Sequence, residues 1–357
     1  MQLKRFYRRW PVILPALSFA ILGVSTFCSG NGILLFLGFT LMGSVFSAVH
    51  HAEVISLRIG EPFSTLVLAL AITIIEVALI VSVMLTDSGG EPTLARDTVF
   101  AEIMIILNGM IGVSTLIGGL KYREQVFGLQ GVSSVLTLLL AMSVLTLILP
   151  NYTETVPGPI YSKSQLILVA IITLFLYANF IVFQNIKHRA YFLSDKHETV
   201  PVSKPGKLAA AVSMVLLLIS LTAVILIAKK LSPSLEHMVE TAGAPKSLVG
   251  VIIACIVLLP EAFSAIRATS RNDLQKSLNF SLGSALASIG LTIPAVAIVS
   301  IYKGIPLILG IDIKSTVLYI LTFFVIALSL RTGKTTGVEG VVLLVILATY
   351  LFTIIIP

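Results

Sequence analysis

The 357 residues are 57% hydrophobic and 11% charged, too few charges to coat a soluble body of this size. The net charge of +7 lies in short segments between apolar runs, so it needs no nucleic-acid partner. The partner this composition implies is the lipid bilayer.

A run of about 20 uncharged residues spans the hydrocarbon layer as a helix, which satisfies its own backbone polar groups where lipid offers no partners. Eleven runs fit, near residues 12–28, 32–49, 62–85, 98–119, 131–149, 165–183, 208–228, 247–266, 277–301, 313–330 and 337–356. The first follows a basic stretch, MQLKRFYRRW, as in a signal peptide. No small-residue cleavage site follows it, so it is expected to remain as a helix. Cys28 and Cys255 fall in apolar spans and read as small hydrophobes, with no disulfide expected.

At the cytoplasmic end of the second span, AVHHAEVISLRIGEP carries His50, His51 and Glu53. The pattern is not HExxH, so no metalloprotease is implied. His51 and Glu53 read as a solvated helix end, or as a gate at the inner mouth or a pH sensor acting through imidazole titration. The third span contains IIEVALI with Glu76, after a GEP that begins at Gly60. In the fourth, Glu102, near the outer end, reads as an ordinary interfacial residue in preference to part of an outer pathway, and LNGMIGVSTLIGG runs from Leu107 to Gly119.

After six spans comes the longest connection, residues 184–207, with Pro201, Pro205 and Gly206 among mixed charges. It divides the chain into an N-terminal helix (1–30), a five-helix repeat (31–183), a cytoplasmic linker (184–207) and a second five-helix repeat (208–357). In the second half, GAP at Gly243 precedes LPEAFSAI with Glu261, and LNFSLGSALASIG from Leu278 to Gly290 aligns without a gap on the Leu107 block. Asn108 pairs with Asn279, Gly112 with Gly283, Gly119 with Gly290, and Glu76 answers to Glu261. An odd helix count separates the copies, so they cross the membrane in opposite senses, an inverted repeat of the kind many secondary transporters use.

Seventeen of the 24 Lys and Arg residues fall on the side of the N-terminal tail, which places the N-terminus in the cytoplasm and the C-terminus outside. Glu76 lies 14 residues past Pro62, and Glu261 14 past Ser247, so each is expected near the bilayer middle. A charge there costs about 2.5 to 3.5 kcal/mol on insertion scales. Either carboxylate could simply serve packing, protonated or hydrogen-bonded to a neighbouring helix. Two carboxylates facing each other at the repeat interface would instead form a site where a hard cation and protons compete. Thr73, one turn before Glu76, and Asn108, Asn279, Ser284 and Ser288 are the candidate supporting residues. Pro260 cannot donate to the helix ladder, so carbonyls around Cys255 to Val257 are expected to be freed as ligands.

HAEVISLRIGEPFSTLVLALAITIIEVALI, RDTVFAEIMIILNGMIG and LLPEAFSAIRATSRNDLQKSLNFSLGSALASIGLTIP resemble the calcium/cation antiporter superfamily, close to its bacterial sodium, potassium and calcium:proton antiporters. The resemblance implies an all-α polytopic membrane fold of one extra N-terminal helix and two inverted five-helix repeats, whose acidic residues map onto Glu76 and Glu261. It implies no cofactor, with Ca²⁺, Na⁺ or K⁺ and H⁺ as transported ions, a bacterial inner membrane, and a possible homo-oligomer. Other calcium:proton exchangers of the superfamily read GNAxE, whereas this chain reads ITIIE and VLLPE, with Thr73 and Leu258 in place of the two asparagines. Fewer side-chain oxygens weaken a high-affinity Ca²⁺ site, since Ca²⁺ takes 6 to 8, and leave Na⁺ and K⁺ open. A membrane-embedded enzyme with paired carboxylates and an uncoupled cation channel are the rival readings.

Overall fold

A computed structural model describes residues 2–27, 30–60, 64–84, 92–192, 204–245 and 247–356. They form helices α1 (Gln2–Val24), α2 (Asn31–Ile59), α3 (Ser64–Met84), α4 (Leu94–Tyr122), α5 (Leu129–Tyr152), α6 (Lys163–Lys187), α7 (Lys207–Thr241), α8 (Ser247–Ser270), α9 (Leu274–Lys303), α10 (Ile313–Leu330) and α11 (Gly337–Ile355). Among the described residues nine of these are long and apolar enough to span a bilayer, and α1 and α3 carry shorter apolar stretches, Trp10–Val24 and Leu70–Ser82. The chain is an all-α, multi-pass membrane protein.

Each helix sits on a predicted run, but α2 and α7 extend well past the expected ends at 49 and 228. An apolar run measures hydrocarbon thickness, not helix length. HAEVISLRI continues α2 until Gly60 turns at φ 79°, and the polar KKLSPSLEHMVET continues α7 through Pro233. Where caps are visible they are local and polar. Ser162 and Gln165 close a capping box on α6, while the carboxylates of Asp273 and Asp312 accept from Lys276 N (3.1 Å) and Ser315 N (3.3 Å) at the starts of α9 and α10.

Packing divides the chain into two compact units, Met1–Gly90 with Thr199–Gly243, and Glu91–Glu198 with Ala244–Pro357. Each draws helices from both sides of the 184–207 connection, of which 193–203 lie outside the described residues. In the first unit, α2 packs against α1, α3 and α7. Thr40, Ser44, Ser47 and His51 recur at spacings of four, three and four, so they share one face of α2. Along it Ser18 hydrogen-bonds Ser44 (2.7 Å) and the Thr40 carbonyl (3.2 Å), Ser47 donates to the Pro11 carbonyl (2.5 Å) and pairs with Ser220 (3.1 Å), and His51 Nδ1 meets Ser213 Oγ (3.4 Å). Lipid is as apolar as leucine, so such interhelical bonds take over part of the work hydrophobic burial does in water.

In the second unit α4 packs on α8, α9 and α11, and α9 packs on α5 and α6. The inverted repeat is visible in these pairings, because exchanging the repeats turns α4 on α11 into α9 on α6. Two antiparallel pairings obey the same exchange. Strand β1 (Gln125–Val126), between α4 and α5, pairs with β2 (Lys334–Thr335), between α10 and α11; Ile160, between α5 and α6, bridges Ile308, between α9 and α10. Beside that bridge Tyr161, whose hydroxyl burial pushes up to about 12, stays a neutral donor to the Leu145 carbonyl (2.5 Å).

Glycines make the helix contacts possible. A Cβ on Gly119 would run into the Gly337 backbone, one on Gly340 would lie 2.5 Å from Leu116 N, and one on Gly290 would lie 2.6 Å from Tyr177 Cβ. A Cβ on Gly283 meets nothing within 4 Å. Gly340→Ala should therefore cost about 1–3 kcal/mol of stability through overpacking. Gly283→Ala should be neutral or gain up to about 1 kcal/mol from helix propensity. Thermal unfolding of the two variants in detergent tests the contrast.

Candidate functional site

Glu76 and Thr73 lie on α3 in the first unit, 2% and 3% exposed. Both side chains make interactions, and their spacing of three places them on one face, as expected from the sequence. Glu261 belongs to the second unit and is half-buried on α8. Its carboxylate accepts a short hydrogen bond from Ser284 Oγ on α9. That bond joins the acidic residue of the second repeat to the aligned glycine- and serine-rich block. Such a carboxylate can hold a cation or a proton.

The other candidates divide. Ser288, 2% exposed, lies one turn beyond Ser284 in a π-helical turn, Ser288–Thr292. Asn108, fully buried, donates to the Met104 carbonyl (3.2 Å) and to Thr322 Oγ1 on α10 (3.0 Å), within a second π-helical turn, Ile105–Met110. Asn279 uses its amide elsewhere: Nδ2 donates to the Phe192 carbonyl (2.6 Å) and Oδ1 accepts from Gln275 Nε2 (2.9 Å). Helix α8 runs unbroken through Pro260. Only the Ile256 carbonyl, four residues earlier, necessarily lacks its regular donor, so the stretch of freed carbonyls expected over Cys255 to Val257 narrows to one.

His51 and Glu53 do not act as a pair. His51 is 5% exposed, against Ser213 of α7, whereas Glu53 faces outward from the same helix. Two residues apart on a helix, they point to different sides. Neither lies at a helix end, because α2 continues to Ile59; Glu53 is exposed, whereas α7 covers the His51 ring. Glu102 also departs from expectation: it is 0% exposed, inside α4.

Among the described residues no three His, Cys, Asp or Glu side chains gather as a resident metal would require. The chemistry on offer is that of carboxylates on apolar helices, with Ser284 donating to Glu261. The sodium/calcium exchanger protein family model matches residues 30–185 and 212–356. The chain belongs to that family. Relatives include a putative ionic transporter of Sinorhizobium fredii, 43% identical over 89% of this chain and 87% of its own, and a sodium-potassium/proton antiporter of Escherichia coli, 33% identical over 88% and 86%. The fold is also that of the solved structure of native YfkE, at a TM-score of 0.77 and 18% identity over 97% of this chain and 100% of that one. The sodium/calcium exchanger family is one of transporters, which removes the membrane-embedded enzyme from the readings the carboxylates left open.

Asn108 and Thr322 give the site's support a direct test. Replacing them by Leu and Val, singly and together, should yield a coupling energy of about 0.6 kcal/mol, the average for hydrogen bonds between membrane helices. Thermal unfolding of the four proteins in detergent measures it, and additive effects would show that the bond contributes nothing.

Proposed function

We propose that the protein is a secondary active cation:proton antiporter that exports Ca²⁺, Na⁺ or K⁺ from the cytoplasm of a bacterial cell while protons enter. Glu76 and Glu261 alternately hold the cation or protons, and the repeats rearrange so that these groups meet one face of the membrane at a time. The observation that carries the reading is the Glu261 carboxylate, held by Ser284 of the repeated block, in a family of sodium/calcium exchangers whose other repeat supplies the buried Glu76. A carboxylate that takes either a proton or a hard cation couples the two by competition alone.

The names of the relatives support the cation class and spread across it. The Escherichia coli protein is a sodium-potassium/proton antiporter, and a relative from Aphanothece halophytica, 24% identical, is a Ca²⁺/H⁺ antiporter. Thr73 and Leu258 in place of two asparagines favour the monovalent ions, since fewer oxygens surround the carboxylates. The distribution of Lys and Arg supports an inner-membrane protein with its N-terminus in the cytoplasm and its C-terminus outside. His51, held at Ser213, is the residue we assign to pH sensing near the inner mouth, with Glu53 at the solvent edge of the same helix.

Proton flux decides the matter. In everted vesicles acidified inside, adding Ca²⁺, Na⁺, K⁺ and Mg²⁺ in turn should dissipate the gradient with at least one of the first three. Glu76→Gln and Glu261→Gln should each abolish the response while the protein remains folded. Exchange retained in both variants would remove these residues from the mechanism, and cation conductance without proton coupling would make the protein a channel.

Ser284→Ala should weaken apparent cation affinity by roughly tenfold, the value of about 1.5 kcal/mol for a hydrogen bond to a charged group. The concentration dependence of the same flux measures this.

A further inference from the structure

We infer that Glu102 is a proton-carrying carboxylate between the Arg96–Asp97 end of the second unit and Glu261, an inference that rests on the antiport reading. The alignment of the two blocks puts an acidic residue at the same register in each repeat, six residues before the paired asparagines: Glu102 before Asn108, and Asp273 before Asn279. Their structural situations differ. Asp273 caps α9, its carboxylate accepting from Lys276 N (3.1 Å) at the start of the helix. Helix α4 begins at Leu94, so Glu102 lies two turns inside it, has no helix end to cap and is 0% exposed. An ionisable group buried in a membrane span costs about 2.5 to 3.5 kcal/mol at mid-bilayer, and a packing role alone would be served by an apolar residue.

The surroundings suit a proton better than a metal ion. The first part of α4 packs on α8 and on the π-helical turn Ser288–Thr292 of α9. Thr98, one turn earlier on α4, and Ser288 and Thr292 are all buried hydroxyls. Pro294 has no N–H, so the Gly290 carbonyl loses its regular helical donor. A single carboxylate with hydroxyls falls short of the 6 to 8 oxygens Ca²⁺ takes, yet it neutralises itself by binding one proton. The titratable and charged groups on the helices around this stretch are Arg96 and Asp97, paired at 2.7 Å, Cys255 and Glu261 of α8, and Tyr319 and Tyr350, which contact Phe100 from α10 and α11.

Register gives the direction of the route. Helices α4 and α8 run parallel, with Gly250 against Thr98 at one end and Lys121 Nζ on the Ser270 carbonyl (2.7 Å) at the other. Glu102 is therefore level with about residue 254, some 10 Å along the axis from Glu261 at 1.5 Å per residue. A proton taken from hydronium at the Arg96–Asp97 end rests on Glu102, then passes by hydroxyls and water to the Glu261 carboxylate, leaving Glu102 charged for the next.

Proteoliposomes separate this role from cation binding. Two fluxes are measured, cation-driven proton movement and exchange of labelled for unlabelled cation at equal pH, which needs no proton. Glu102→Gln should slow the first by about tenfold or more and leave the second within about twofold, with Glu102→Asp restoring the first. Glu76→Gln and Glu261→Gln should lose both. Unchanged proton flux in Glu102→Gln overturns the assignment, as does loss of both fluxes in a variant that stays monodisperse. If the parent protein shows neither flux, the antiport reading is what fails. Infrared difference spectra then judge Glu102 alone: a carboxyl band that titrates in the parent and is missing from Glu102→Gln sustains it as a proton-binding group, and no such band overturns it.

Discussion

The second unit depends on close backbone approach at two symmetry-related crossings, α4 on α11 through Gly119 and α9 on α6 through Gly290. In lipid there is no hydrophobic gain from bringing helices together, so van der Waals contact and hydrogen bonding must do it, and both need the helices near. With α4 seated, Asn108 reaches Thr322 and β1 reaches β2. With α9 seated, Ser284 reaches Glu261 and Ile308 reaches Ile160. The Glu261 carboxylate and its Ser284 partner are therefore brought together by helices whose approach depends on residues that have no side chain at all.

Much of this was legible in the sequence because membrane helices announce themselves by uncharged length, and the repeated Leu-Asn-x-x-x-Gly blocks announce the inverted repeat. Glu261 and Ser284 stood out because one is a charge in an apolar run and the other lies in the block aligned with the first repeat. Helix ends were poorly legible, since lipid thickness fixes only the apolar middle: α2 and α7 continue as helices past their uncharged runs. Burial at those ends was misjudged for the same reason. His51 read as solvated because it lies past an apolar run, but α2 continues as a helix beyond that run and Ser213, near the start of α7, packs against the ring. Glu102 read as interfacial from its distance to the span's start, which ignored the packing of α8 and α9 on α4. The spacing of Thr40, Ser44, Ser47 and His51 was an available signal for an interhelical seam. Thr322 as the partner of Asn108 was not, because a lone threonine on α10 carries no mark of what it faces.

The repeats are alike in sequence and unlike in use. Asn108 bonds across to α10, while its counterpart Asn279 is held by Phe192 and Gln275. Gly112 abuts α11, while Gly283 has open space. Each repeat also ends its long fourth or ninth helix differently, α4 reaching eight residues further out than the position where Asp273 starts its equivalent. An exchanger must bind on one face what it releases on the other, under different ion concentrations, and two strictly equivalent halves would treat both faces alike. Divergence at aligned positions is where the two directions can be tuned separately.

The first unit is assembled from chain segments that leave the ribosome far apart in time. Helices α1 to α3 precede α7 by the whole of α4 to α6, which belong to the other unit. Until α7 arrives, Ser47 and His51 lack Ser220 and Ser213, and the polar stripe of α2 faces lipid or transient neighbours. At about 5–20 residues per second, synthesis imposes a wait of several seconds to tens of seconds before the stripe can close. Ser18 on Ser44 and Ser47 on the Pro11 carbonyl need only α1 and α2, so these bonds can shelter part of the seam during that wait. In this arrangement α1 can close part of the α2 seam before α7 has been made.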